Sequence, residues 1–273
     1  MQDKAQFETF LQSQGDESLA KRDIRKDAFN RFLEIGYPTK KHENWRFTNL
    51  TSLTKTEYQF SNGKTSKIDD AIIRKHSIDN SHRIVFIDGK FDAELSAIDD
   101  IAKRITIKNI SESFNDLNRN YTKYDKNPFI LLNKAFVTGG YLIEIQSNYI
   151  EDKPLHILNI ISGEKAFVQH HQHNLIRIGK NSQVSIVEEN ININQTGIFR
   201  NTVYNIKIEE NSTLSHILLQ QNHAKSKELN HIFVEQQSSS TYNAQLINIG
   251  GDLIRNDINV LIDGENCSTD ISG

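Results

Sequence analysis

The last half of the chain repeats itself. Four stretches, "IRIGKNSQVSI", "IKIEENSTLSHI", "IFVEQQSSSTYNA" and "VLIDGENCSTDIS", each read as a strand, a polar corner ending in Ser, and a second strand. The corner residues Ser182, Ser212, Ser240 and Ser268 are separated by 30, 28 and 28 residues. Apolar residues fall at every second position on either side of these corners, which marks strands with one buried face. A period this steady points to a solenoid, in which each coil buries its apolar face only by stacking on the next. No helical stretch interrupts the unit, so a β-helix fits better than a helical or leucine-rich array. The chain is mainly β on this reading. Composition agrees: it has 36 Ile, 28 Asn and only 13 Gly. Ile suits a pleated half-buried surface, and Asn tolerates the left-handed backbone of a tight corner.

The first residues differ. Phe7, Phe10 and Leu11 stand at helical spacing before Gly15. Ile24, Ala28, Phe32 and Ile35 then recur about once per helical turn, and Gly36 with Pro38 forms a stop signal. The chain thus divides into a helical region with a connector, residues 1–80, and a β-helix, residues 81–273. "RIVFIDGKF" predicts a hairpin turning at Asp88-Gly89. Ile105 to Tyr124 is polar and gives no clear element, whereas "NPFILLNKAF" predicts a short buried helix.

Several function classes are disfavoured. Net charge is −3, which gives no global pull toward nucleic acid or anionic membrane. No apolar run approaches the roughly 18 residues of a membrane helix, and "MQDKAQFETF" lacks the apolar centre of a signal peptide. The single cysteine, Cys267, forms no intrachain disulfide and fits a reducing compartment. A cytoplasmic protein is expected. Phosphate loops, dinucleotide fingerprints, Cys-x-x-Cys and Gly-x-Ser-x-Gly do not occur.

Four groups of residues invite chemistry. His170, His171 and His173 include a same-face pair suited to Zn, Fe or Ni, yet no carboxylate or Cys is fixed nearby, which favours the polar outer face of a strand. Cys267 sits on the fourth corner with no base beside it, which favours a structural thiol over a nucleophile. Glu188, Glu189, Glu209 and Glu210 lie near equivalent strand ends. Stacked, they would hold Ca²⁺ or cleave a glycosidic bond; solvated, they would do neither. "YPTKKHENWRFTNL" crowds Lys40, Lys41, His42, Glu43 and Arg46 around Trp45, the only tryptophan. It reads either as an acid–base and anion site or as a connector. No catalytic, cofactor-binding or metal-binding residue is assigned.

"PTKKHENWRFTNL" resembles the N-terminal signature of the SufD branch of the SufB/SufD family through Pro38, Glu43, Trp45, Arg46, Phe47 and Thr48. "VFIDGKFDAELS", "LNKAFVTGGYLIEI", "KPLHILNI" and "GGDLIRNDINVLIDGENCSTDISG" resemble later segments of that family, in the same order. The resemblance implies a right-handed parallel β-helix after an N-terminal helical region. It also implies a non-enzymatic scaffold in iron–sulfur cluster assembly that pairs with SufB and recruits SufC, with the cluster handled by the complex and no cofactor in this chain. Trp45 is then a structural anchor, buried and away from any cleft, with Arg46 and Lys40 in solvent. The family continues past Gly273, so the β-helix is expected to be incomplete at that end. The chain is then expected to lack SufC binding and cluster-assembly activity and to self-associate through its open end. The rival reading is a carbohydrate-acting β-helix enzyme.

Overall fold

A computed structural model describes residues 4–15, 17–60, 67–113, 126–162, 167–193 and 196–273. It is a β-solenoid of about four turns behind a helical region. Helices α1 (Lys4–Ser13) and α2 (Leu19–Ile35) come first, then α3 (Thr51–Lys55), strand β1 (Gln59–Phe60) and α4 (Asp70–His76). Ser18 caps α2 by accepting from the Lys21 N–H, and Gly36, at φ 70°, closes it with an N–H to the Phe32 carbonyl. The buried face of α2 is Arg25, Ala28, Phe29 and Phe32, rotated from the expected one; Ile35 is exposed. The rotation follows from Arg25. Its guanidinium pairs with Glu17, lies over the Phe10 ring and donates to the carbonyls of Ala135 and Val137.

Those carbonyls end α5 (Pro128–Phe136), the short buried helix expected from "NPFILLNKAF". Asn127 caps it, Pro128 occupies its first turn, and all nine of its residues are buried. It is buried all round because it has two partners: Phe7, Phe10 and Phe29 on one side, and the outer face of a sheet on the other. Asn133 reaches from it to the carbonyls of Gln172 and Asn201.

The solenoid has two faces. One sheet runs β13 (Leu253–Ile262), β11 (Lys227–Gln236), β9 (Ile198–Ile208), β7 (Val168–Ile178), β5 (Tyr141–Ile145), β4 (Ile105–Asn109). The other runs β14 (Ser268–Ser272), β12 (Thr241–Gly250), β10 (Thr213–Asn222), β8 (Gln183–Asn192), β6 (Leu155–Ile161), β2 (His82–Ile87), β3 (Lys90–Ala97). Along both paths every pairing is parallel except β2–β3 and β4–β5, which close the first coils with antiparallel strands. The predicted hairpin is β2–β3, with Asp88 and Gly89 at φ 51° and 79°. Of the polar stretch Ile105 to Tyr124, β4 and a 3₁₀ turn at Ile110–Ser113 are described; residues 114–124 lie outside the described residues. At the far end β13 and β14 pair on one side, and Leu261, Ile262 and Ile271 are exposed.

The corners set the register. Asn148, Asn181, Asn211, Ser239 and Asn266 all have φ between 54° and 59°. The amide of Asn181 donates to Asn148 and that of Asn211 to Asn181, a side-chain ladder up the corner. The serines after them stack as expected: the Ser182 N–H donates to Ser212 Oγ, and the two hydroxyls donate to the carbonyls of Gln146 and Gly179. The fourth member is not Ser268 but Cys267. Thr241 pairs with Ser268, so Cys267 stands beside Ser240, and its Sγ–H donates to the Gln237 carbonyl in the serine manner. The cause is an extra corner residue: five residues, Asp263 to Cys267, lie between β13 and β14, where four lie between β11 and β12.

Asn211→Val is expected to destabilise the chain by about 2–3 kcal/mol in urea unfolding, because a β-branched residue strains at positive φ and the ladder bond is lost. Asn211→Gly loses only the ladder bond, about 1 kcal/mol.

Candidate functional site

Two places gather polar side chains. The first is the junction between the tryptophan segment and the fourth coil. Glu43–Trp45 form a single 3₁₀ turn that presses the indole inward. Trp45 is 6% exposed, lies 5.1 Å from the Phe129 ring and carries the Arg255 guanidinium 4.2 Å above its ring. Arg255 is fixed on both sides: Nε and Nη2 pair with Asp257 at 3.0 and 2.7 Å, and Nη1 donates to Thr48 Oγ1. Ser52 donates to Asp252, which also meets Lys227. The connector thus grips β13 and the turn before it across some two hundred residues of sequence. Lys40, His42, Glu43 and Arg46 are exposed, and the His42 ring bonds only its neighbour Thr39. Trp45 is buried as expected, but it is not away from a cleft. It forms one wall of an open cleft of about 1050 Å³, with His42, Asn127, His231, Arg255 and Asp257 among the others. Burial and, less, the nearby Arg255 charge hold the His231 imidazole down at about 4 against the pull of Asp257.

The second place is inside the solenoid. Glu188, from β8, is fully buried. Its carboxylate accepts from Tyr141 and Tyr204 at 2.7 Å each and from the Asn159 amide at 2.6 Å, and it faces His216 Nε2 at 3.7 Å. Those donors stand on β5, β9 and β6, with His216 on β10. Burial, then the Glu188 charge, pushes the Tyr141 and Tyr204 phenols well above their ordinary range. Glu228, from β11, is also fully buried and accepts from Asn190, Gln220 and Asn222. Arg200 Nη1 lies 3.8 Å away.

The four glutamates singled out by sequence do not stack. Consecutive residues of a strand face opposite ways, so Glu188 points inward and Glu189 outward, where it meets His76 at 2.7 Å and Gln221 at 2.8 Å. Burial pushes the Glu189 carboxyl up, and the nearby imidazoles of His156 and His76 outweigh it and hold it below the ordinary range. Glu209 and Glu210 sit in the turn after β9, ion-paired with Lys207 and Lys180. The histidines are buried, not a solvated face. His171 donates to Gln169, accepts from Asn201 and packs 5.5 Å from Phe136 under α5. His173 bonds Asn205 at 2.6 Å, and His170 points the other way, into the interior. Burial lowers their imidazoles to about 4, 3 and 4 for His170, His171 and His173. Among the described residues no three His, Cys, Asp or Glu side chains are arranged to hold a metal ion. The sequence reading missed Arg25, Arg200, Glu228 and Arg255; an arginine or glutamate at an inward position of an alternating strand is the signal that exposes the middle two.

These features define a class: a parallel two-faced β-solenoid, polar inside, clamped by a tryptophan connector from a helical N-terminal region. The family model for the SufBD protein N-terminal region matches residues 5–157, and that for the SUF system FeS cluster assembly SufBD core domain matches residues 159–273. The chain belongs to the SufBD family. It is 24% identical over 246 residues to the iron–sulfur cluster assembly protein SufD of Escherichia coli (strain K12), covering 88% of this chain and 56% of that protein. It is 28% identical over 250 residues to an iron–sulfur cluster assembly SufBD family protein of Synechocystis sp., covering 86% of this chain and 55% of that one. The chain therefore spans about half the length of the curated relatives it matches. No helix among the described residues is long and apolar enough to cross a membrane.

Trp45→Ala removes an enclosed indole and the face on which Arg255 rests. Chemical denaturation is expected to show a loss of about 3–5 kcal/mol.

Proposed function

We propose that this chain belongs to a SufD-like scaffold of iron–sulfur cluster assembly, without chemistry of its own, that pairs with a SufB-like protein in the cytoplasm; recruitment of a SufC-like protein is expected of the full-length family member. The observation that carries this reading is the ordered match of both SufBD domains along the chain. The side chains support it. Glu188 and Glu228 are spent on hydrogen bonds within the interior, and Arg255 on Trp45, Thr48 and Asp257. On this reading an iron–sulfur cluster is cargo of the complex rather than a resident cofactor of this chain. The carbohydrate-acting alternative needs a groove lined by several carboxylates. The four glutamates that could have formed one are split between the interior, the outer face and ion-paired turns.

Co-expression of the tagged chain with SufB-like and SufC-like proteins tests the proposal. Recovery of a stoichiometric complex with the SufB-like protein, and no glycosidase activity, is the expected result. A chain that leaves the SufB-like protein uncaptured would contradict it.

A further inference from the structure

One half of the solenoid interior is apolar and the other is polar. Near the tight corner the inward side chains are Ile176, Ile178, Val184, Ile186, Ile206, Ile208 and Leu214. The strand alternation then carries polar residues inward at the other end. β7, β9 and β11 align His170, Arg200 and Glu228 in one row. Gln172, Thr202 and Asn230 follow in the next row, and Asn174 stands beside Tyr204 in the third. Asn159, Asn190 and Gln220 face them from the opposite sheet.

Many of these groups have no protein partner. Arg200 Nε and Nη1, Thr202 Oγ1, His170 Nε2, both amide atoms of Asn174, and the amide oxygens of Asn190 and Asn230 are buried without a hydrogen bond. Glu228 does not serve Arg200, because amide donors from Asn190, Gln220 and Asn222 already occupy it, and the guanidinium stands off at 3.8 Å. An orphaned buried polar group forfeits its hydration with no hydrogen bond in return, so eight such atoms would consume the whole stability of a typical domain. They need a ligand. The set contains donors, acceptors and groups that do either. An anion would meet donors alone, and Glu228 already balances the Arg200 charge. Water satisfies both kinds.

We propose that the polar half of the solenoid interior is a built water-binding site, a file of ordered molecules that runs along β7 and β9 past His170, Arg200, Thr202 and Asn174 and bridges Arg200 to Glu228. At about three hydrogen bonds per buried water, the eight atoms call for roughly three molecules. The file keeps both buried charges solvated inside a closed fold, and it makes the interior polar enough to carry Glu188 and Glu228 without exposing them.

Thr202→Val separates a wet interior from a dry one. Valine matches the shape of threonine and suits a strand better. In a dry interior it removes an orphaned hydroxyl and raises Tm. In a hydrated one it takes a partner from the file and lowers Tm, by roughly 2–4 °C for a chain of this size. A crystal structure of the unaltered chain at high resolution gives the second reading. Water peaks are expected within hydrogen-bond reach of Arg200 Nε and Thr202 Oγ1. An empty interior, a larger anion on Arg200, or a rise in Tm for Thr202→Val each overturns the proposal.

Discussion

The carboxylate of Glu188 is where the coils meet across the interior. Backbone ladders join each strand to the next in its own sheet, but they say nothing about how the two sheets face each other. Glu188 supplies that link. It takes hydrogen bonds from Tyr141 and Tyr204 in one sheet and from Asn159 in the other, and it faces His216 one coil further on. A fully buried carboxylate is tolerable only when its donors are in place, so the cost of burial becomes a demand for one register. Sliding either sheet by a single residue would turn the donors outward and leave the charge bare.

The outside of the solenoid is fixed by a different device. Helix α5 is buried on every side and lies between the N-terminal helices and the sheet that carries His171 and Phe199. Arg25 and Asn133 fix its C-terminal half through backbone carbonyls, and Asn201 donates to the Phe129 carbonyl near its start. The tryptophan segment then reaches the fourth coil through Arg255, so the N-terminal region touches early and late coils at once. That geometry suits a scaffold: the helical region and the coils form one body held by side chains that are already committed.

Much of this was legible in the residues. Asparagine at a polar corner announced the left-handed turn, and Asn148, Asn181, Asn211 and Asn266 all adopt it. Asp88-Gly89 announced the hairpin, and the alternation announced the strands. Period-two alternation shows that two faces exist, but not which is inside when both carry polar groups, so Glu188 and Glu189, read together, part company. His171 and His173 do stand on the outer face, but they are buried, His171 beneath α5, and no local pattern announces that cover. The offset at Cys267 has another origin. An extra residue in a loop moves the register without changing the pattern of residue types, so the copy looked like a serine corner. Arg25 escaped notice because a buried arginine is defined by distant carbonyls that no local pattern reveals.

The central claim is that the coils are one cooperative unit welded through Glu188. Native-state amide hydrogen exchange on Glu188→Leu tests it most directly. The substitution leaves the Tyr141, Tyr204 and Asn159 donors buried without an acceptor, which should cost at least about 3 kcal/mol. The account predicts that protection falls together in β5, β6, β8, β9 and β10, the strands that hold the carboxylate and its partners. A loss confined to β8, with the neighbouring coils protected as before, would show that the backbone ladders alone hold the solenoid and would contradict it.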